Sequence, residues 1–285
     1  MYQNPDLEKI RQRIDTLDNN IHDLLMERAE LIDSISEAKR KNNIQIVQPA
    51  REARMIRRLL SRHQGILPKK AIVRIWRELV GAITLLQTGL SVSAYVPENN
   101  IHFWDLLKNY FGSILPVTRV PAPTHALADV RDEKVTFAAL PWPDTQEQNQ
   151  WWTWLLNESN NGLNIIVALA EDVDTEGTFS SSNAMLIVAK MGFDASEHDN
   201  SFICLETSQE LSKTLILDNF KAAGMETISI YADASNGSYK YLVEIADYVS
   251  IDDERLEEVQ KSLSDKGLLR IRHAGGYPIP ALLTH

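Results

Sequence analysis

Apolar residues recur every three or four positions near the start of the chain, which predicts one long amphipathic helix. The repeat covers residues 7–38 without a proline or glycine, and it predicts a helix over residues 6–41. At ~1.5 Å per residue this helix is about 54 Å long, far longer than the helices of ordinary globular domains. We therefore expect two copies of the chain to pack these helices along each other in an intertwined dimer. The seam residues are Leu7, Ile10, Ile14, Leu17, Ile21, Leu24, Leu31, Ile35 and Ala38.

A cation interrupts this apolar seam. Arg28 occupies the position between Leu24 and Leu31 where the periodicity demands an apolar side chain. A guanidinium inside an apolar interface is costly unless an anion meets it. Lys39 follows about three helical turns later, roughly 16 Å along the axis, so it points to the same side. The two cations predict a pocket for a small anion, and an ordinary coiled coil with one tolerated arginine is the alternative.

Two further helices are predicted before residue 90. Pro49 suits the first position of a helix that follows Gln48 and ends near a glycine. Pro68 opens the third helix, whose apolar face includes Ile83. Gln87 lies four residues after Ile83 on the same face, and a buried amide needs a partner. Gln87 is therefore a second polar residue in the predicted core.

In their order and spacing, these polar positions resemble the all-helical class of chorismate mutase, whose three-helix chains form an intertwined dimer. The resemblance covers residues 1–90 and predicts an all-α N-terminal domain. It implies an isomerase that rearranges chorismate to prephenate, as in phenylalanine and tyrosine biosynthesis, with no cofactor. The residues that carry it together are Arg11, Arg28, Lys39, Arg51, Glu52 and Gln87.

The resemblance implies roles for the cations of the long helix. Arg28 and Arg11 would grip the two carboxylates of the substrate. Arg11 precedes Arg28 by about 4.7 turns and so points off the Arg28 face, in agreement with a family arrangement in which the partner chain donates it. Lys39 and Gln87 would contact the ether oxygen of the breaking bond.

The second helix supplies the remaining predicted contacts and two departures from the family. Glu52 would accept a hydrogen bond from the ring hydroxyl, and Arg51 would support a carboxylate. Gln48 stands where the family often has aspartate, which predicts weaker substrate binding without loss of activity. Ile83 replaces a small polar residue and makes one wall of the pocket drier.

Charge is distributed unevenly along the chain. Residues 1–90 hold 16 basic and 11 acidic residues, and the rest holds 13 and 28, within a total net charge of −10. The basic part suits a dianionic substrate, and the acidic remainder argues against nucleic acid as a partner. Cys204 is the one cysteine, and no long apolar run is present, so we expect a cytoplasmic protein without a membrane segment.

After residue 90 the pattern changes to short strands that alternate with helices. Residues 91–198 predict a small α/β domain, with a helix that begins near Trp151. Residues 199–285 predict a βαββαβ unit of the ferredoxin-like type, with a last strand over residues 268–273. This unit resembles ACT regulatory domains, and that resemblance implies an aromatic amino acid as effector and further dimer contacts.

The order of the three parts is similar to bifunctional chorismate mutase–prephenate dehydratase. The Thr-Arg-Phe signature of the dehydratase is absent, and about 100 residues between the outer parts are too few for its two lobes. We therefore expect a mutase with a C-terminal region that is regulatory or structural. The alternatives are a bifunctional mutase–dehydratase, an isochorismate–pyruvate lyase and a non-catalytic metabolite sensor.

Overall fold

The computed structural model describes residues 5–41, 45, 47–98, 100–144, 150–171, 173, 179–235 and 237–280. Of residues 5, 33–36, 38–40, 88 and 235 it describes the backbone alone. The chain divides into two compact units, one of residues 1–47 with 83–89 and the other of residues 48–82 with 90–285. This division does not test the domain boundaries predicted at residues 90 and 198, which stay a prediction.

Three helices form the N-terminal part, as the periodicity predicts. Helix α1 spans Pro5–Lys41, α2 spans Pro49–Arg62 and α3 spans Lys69–Thr88. Pro49 stands at the start of α2 and Gln48 is its N-cap residue. A proline at this point loses no helical hydrogen bond, because the first backbone N–H groups of a helix have no partner within it.

The apolar seam of α1 is exposed in the single chain. From Leu7 to Leu31 its residues are between 46% and 63% exposed, although such side chains ordinarily lie inside a core. The side chains of Ile35 and Ala38 lie outside the described part of the chain. Ile32, one position from the seam, is buried at 9% exposure. The long helix thus presents a continuous apolar face along most of its length.

The α/β region contains short strands and two α-helices within the described residues, as the alternating pattern predicts. The residues near Trp151 form a short 3-10 helix, Trp151–Leu156, which ends where the backbone of Asn157 becomes extended. The elements are β1 (Val92–Ala94), α4 (Phe103–Phe111), β2 (Val117–Arg119), α5 (Pro123–Arg131), β3 (Phe137–Pro141), β4 (Asn164–Leu169) and β5 (Met185–Ala189).

The last part of the chain has the predicted βαββαβ order. Within the described residues its strands stand in the sheet order β9-β6-β8-β7, and its two helices are α6 and α7. The elements are β6 (Asp199–Thr207), α6 (Lys213–Ala222), β7 (Thr227–Ser235), β8 (Ser238–Ile245), α7 (Glu254–Ser264) and β9 (Leu268–Pro278).

Strand β6 lies between two apolar cores. Phe202 and Cys204 pack into the core shared with the α/β region, whereas Ile203 and Leu205 pack under α6 and α7. This alternation follows from the two-residue period of a strand, which sends successive side chains to opposite faces. Both faces of the sheet are therefore buried here.

Strand β9 extends beyond the predicted end at residue 273 and joins the two sheet parts. It pairs with β6 along its length, from Leu268 to Pro278, and at Gly275 it also pairs in parallel with Ile165 of β4. A glycine pair follows the predicted end of the strand, and glycine ordinarily weakens a strand. Here glycine is required: Gly275 has φ +92°, and a Cβ on it would lie 2.0 Å from the Ile165 carbonyl oxygen.

One carboxylic acid lies inside the sheet. Glu244 of β8 is 3% exposed, and it accepts hydrogen bonds from Tyr277 Oη and Ser229 Oγ, both at 2.5 Å. Asn200 Nδ2 donates in turn to Tyr277 Oη at 2.7 Å. Burial raises the pKa of Glu244 above its ordinary value, because the two hydroxyl donors compensate only part of the lost hydration.

Gly275→Ala is expected to lower the free energy of unfolding by about 3–5 kcal/mol, because the new methyl group would collide with β4. Gly224→Ala is the matched control. Gly224 also has a positive φ, +75°, but nothing lies within 4 Å of its Cβ position, so only a backbone cost of about 1–2 kcal/mol remains. Urea denaturation of both variants measures the difference. Equal losses would show that β4 and β9 do not approach each other closely.

Glu244→Gln is expected to remove a pH-dependent loss of stability. The raised pKa means that protonated Glu244 stabilises the fold at low pH, and that this contribution disappears as pH rises through the raised value. The unfolding free energy of the variant relative to wild type should therefore increase as the pH rises from below 4.5, the ordinary pKa of glutamate, to above the raised pKa. Glu226→Gln, an exposed position before β7, is the control. A pH-independent difference for Glu244→Gln would contradict the assignment.

Candidate active site

The predicted cations of α1 lie on one helix but in different surroundings. The Arg11 side chain is 65% exposed and lies 4.0 Å from Glu8, one turn earlier on the helix. Arg28 is partly buried and has an interaction partner. The Lys39 backbone belongs to α1, and its side chain lies outside the described part of the chain. Arg11 thus faces solvent, where a second chain could meet it.

Gln87 of α3 contacts the long helix. Its Nε2 donates to the main-chain carbonyl of Ile32 at 3.3 Å, and the side chain is partly buried. Ile32 lies one turn after Arg28, about 6 Å along the axis. The structure therefore brings Gln87 to the part of α1 that carries Arg28. Ile83, one turn before Gln87, is also partly buried.

The start of α2 carries the other predicted residues. The backbone carbonyl of Gln48 accepts a hydrogen bond from Glu52 N at 3.0 Å, which is the first hydrogen bond of the helix. The Gln48 side chain makes no capping hydrogen bond and is partly buried. Arg51 is exposed and has no ion pair among the described residues. Both side chains keep their hydrogen-bonding capacity for a ligand.

Glu52 is held by two neighbours that the sequence analysis did not predict. Arg77 Nη1 of α3 donates to Glu52 Oε2 at 2.8 Å, and both side chains are about 15% exposed. The Arg77 guanidinium also lies over the Tyr110 ring, 4.0 Å from its centre. Burial, with the nearby Glu52 carboxylate second, raises the pKa of the Tyr110 hydroxyl. The Glu52 carboxylate therefore has a fixed orientation beside a cation and a hydroxyl.

The arginines that follow on α2 attach the helix to the α/β region. Arg57 Nη1 donates to Ser196 O at 2.6 Å, and its Nη2 donates to the carbonyls of His198 at 2.9 Å and Ile279 at 3.1 Å. Arg54 donates to the Ala195 carbonyl at 2.8 Å. Burial lowers the pKa of Arg57. Arg54 and Arg57 thus hold the helix in place, a role that no sequence signal identified.

The eight predicted residues are divided between the two compact units. The N-terminal unit holds Arg11, Arg28, Lys39, Ile83 and Gln87. The larger unit holds Gln48, Arg51 and Glu52. Within the described ranges, the structure contains no group of three or more histidine, cysteine or acidic residues that could bind a metal ion.

No helix in the described part of the chain combines the length and apolar character that crossing a bilayer requires.

Known proteins are similar to the N-terminal part of the chain. Residues 10–88 match the family model described as chorismate mutase type II. The bifunctional chorismate mutase/prephenate dehydratase of Aquifex aeolicus (strain VF5) is 28% identical over 146 residues, which cover 50% of this chain. The chain spans 40% of the length of that curated relative.

Two solved structures are similar over the larger part of the chain. The prephenate dehydratase of Streptococcus mutans matches with a TM-score of 0.47 and 12% identity, covering 67% of this chain and 100% of that one. The prephenate dehydratase of Arthrobacter aurescens in complex with L-Phe matches with a TM-score of 0.47 and 12% identity, covering 68% and 93%. Residues 10–88 thus match the chorismate mutase type II model, and the 146-residue match to the bifunctional relative extends beyond that segment.

Proposed function

We propose that this protein is a chorismate mutase, an isomerase that converts chorismate to prephenate as a homodimer. The match of residues 10–88 to the chorismate mutase type II model carries the proposal. The matched segment contains every residue that the sequence analysis selected, from Arg11 to Gln87. The retention of donors for the ether oxygen favours an enzyme over a metabolite sensor, because a sensor has no use for groups that act on a breaking bond.

The rearrangement needs geometry and positive charge, without proton transfer or a nucleophile. Arg28 and the partner chain's Arg11 hold the two carboxylates and so keep the substrate in a compact, chair-like conformation. Lys39 and Gln87 donate to the ether oxygen, which gains negative charge only as its bond breaks. A donor of this kind contributes ~10²–10³ in rate.

The remaining residues bind the rest of the substrate. Glu52 accepts a hydrogen bond from the ring hydroxyl, and its ion pair with Arg77 fixes the direction of the carboxylate. Arg51 and Gln48 support the carboxylate and the hydroxyl from the first turn of α2. Ile83 forms an apolar wall against the ring.

The exposed seam of α1 supports the homodimer. Seven seam residues between Leu7 and Leu31 each leave about half or more of the side chain in water. A second copy of the same helix would cover this stripe, with the burial of each leucine or isoleucine contributing ~1.5–3 kcal/mol when complete. The same pairing would bring the exposed Arg11 of one chain towards Arg28 of the other.

Prephenate dehydratase activity is a second candidate function. The match to the bifunctional relative covers 146 residues, so it is longer than the mutase segment and reaches into the α/β region. The absent Thr-Arg-Phe signature and the short α/β region favour a regulatory or structural role for that part instead. The βαββαβ order of residues 199–285 supports an aromatic amino acid as effector, which calorimetry of the full chain with phenylalanine, tyrosine and tryptophan would test.

Purified wild-type protein is expected to consume chorismate and to release prephenate. Lys39→Ala should lower kcat by about 10²–10³ with a smaller change in KM, because the lost interaction exists mainly in the transition state. Arg28→Ala should raise KM as well, because it removes a carboxylate contact.

Products resolved without acid treatment distinguish the candidate functions. Phenylpyruvate would reveal dehydration, and turnover of isochorismate would reveal a lyase. An unchanged kcat in Lys39→Ala would contradict the assignment of Lys39.

Mixed dimers test whether Arg11 acts across the dimer. Arg11→Ala and Arg28→Ala homodimers should each be nearly inactive. A heterodimer of the two variants has one intact site, because that site takes Arg28 from one chain and Arg11 from the other. Coexpression in equal amounts should therefore restore about a quarter of wild-type activity. No recovery in heterodimers purified through two different tags would place Arg11 and Arg28 of each site on the same chain.

A further inference from the structure

A cavity of about 310 Å³ lies in the larger unit beside the junction of β4 and β9. The two strands are paired only at Ile165 and Gly275, and the cavity is lined by the residues that follow on each strand, 167–171 and 278–280. Helices α2, α3 and α4 supply the other walls. The volume is within the range of small-molecule sites in proteins. None of the predicted mutase residues lines this cavity, but Arg77 of its wall pairs with Glu52.

The interior of the cavity is apolar. Ile56, Leu106, Val167 and Leu169 line it, and each of them is between 3% and 5% exposed. Side chains that are otherwise buried therefore face an open volume. A ligand that inserts an apolar group would recover this surface from water.

Basic side chains line the same cavity. Arg57, Lys70, Arg74 and Arg77 all contribute to its walls. Glu171 is the one acidic residue among the described lining residues, and its Oε1 accepts a hydrogen bond from Asn109 Nδ2 at 3.3 Å. The lining therefore carries an excess of positive charge, which attracts an anion.

These four basic side chains differ in the hydrogen-bond and ion-pair partners that they already have. Arg57 is bonded to three backbone carbonyls, and Arg77 to Glu52, so both are parts of the wall. Lys70 has a partner as well. Arg74 is exposed and has no ion pair or hydrogen bond among the described residues. Lys70 and Arg74 are one turn apart on α3 and so lie on the same side of the helix. The Arg74 guanidinium can therefore bind an anion at this basic side of the cavity.

We propose that this cavity binds a small monocarboxylate with a compact apolar body, whose carboxylate pairs with Arg74 while its apolar end enters between α2, α4 and β4. A guanidinium and a carboxylate form paired, charge-assisted hydrogen bonds, which fix the orientation of the ligand. The volume fits a body of about ten to fifteen non-hydrogen atoms. The alternative is a cavity that holds only water. Such a cavity would have the same volume, but it would not bind a carboxylate in preference to the corresponding amide.

Calorimetric titration of the full-length protein with 3-phenylpropanoate tests the site, and 3-phenylpropanamide is the uncharged control of the same shape. The carboxylate should bind with an affinity on the order of millimolar, and the amide about tenfold more weakly or not at all. Arg74→Gln should abolish this preference and weaken binding of the carboxylate by about tenfold or more. Because binding is measured without turnover, the result is independent of the proposed mutase activity.

Two further variants make the test specific. Ala53→Leu adds volume to the α2 wall of the cavity without a change of charge, so it should also weaken binding of 3-phenylpropanoate. Arg58→Gln removes an exposed arginine of α2 that does not line the cavity, and it should bind like wild type. Circular dichroism establishes that each variant is folded. The proposal is overturned by equal binding of acid and amide, by no binding of either, or by wild-type affinity in folded Arg74→Gln or Ala53→Leu.

Discussion

The close approach of Ile165 and Gly275 is the contact on which the C-terminal architecture depends. A single parallel pair between β4 and β9 turns two sheet parts into one nine-stranded sheet within the described residues. Only a residue without Cβ permits this distance, since a methyl group would lie 2.0 Å from a carbonyl oxygen. Strand β6, which pairs with β9, is buried on both faces. The cavity lies where β4 and β9 continue beyond their paired residues. One glycine thus links the α/β region, the βαββαβ unit and the proposed ligand site.

Helix α2 connects the two proposed functions within fourteen residues. Its first turn carries Gln48, Arg51 and Glu52, which the mutase proposal uses, while Arg54 and Arg57 attach the helix to carbonyls of the α/β region. Arg77 takes part in both proposed sites, because it pairs with Glu52 of the mutase site and also lines the cavity. An anion near Arg77 would therefore compete with Glu52 for the same guanidinium.

Much of this architecture follows from local sequence signals. The period of the apolar residues gives the length of α1, and Pro49 and Pro68 mark the starts of α2 and α3. These signals suffice because a helix is determined by neighbours three or four residues away. Short strands were located for a similar reason, from alternation and flanking turns.

The parts that the sequence did not reveal depend on distant contacts. Arg77 and Glu52 are 25 residues apart, and Arg57 meets Ser196 across 139 residues, so no local pattern links either pair. The continuation of β9 past residue 273 was missed because the reason for its glycines lies in β4. The cavity was missed because its walls come from five separate elements. Local reasoning therefore proposes candidate site residues, but it does not reveal the neighbours that hold Glu52.

The exposed seam of α1 has a consequence for the order of assembly during synthesis. Helix α1 precedes every other element, so its apolar stripe leaves the ribosome well before β9 can complete the sheet. Neighbouring ribosomes on one messenger would hold several such stripes close together, at a local concentration far above that of free chains. If the homodimer forms through α1, the two chains would pair while both are still being made, and each sheet would then close on a chain that already has its partner.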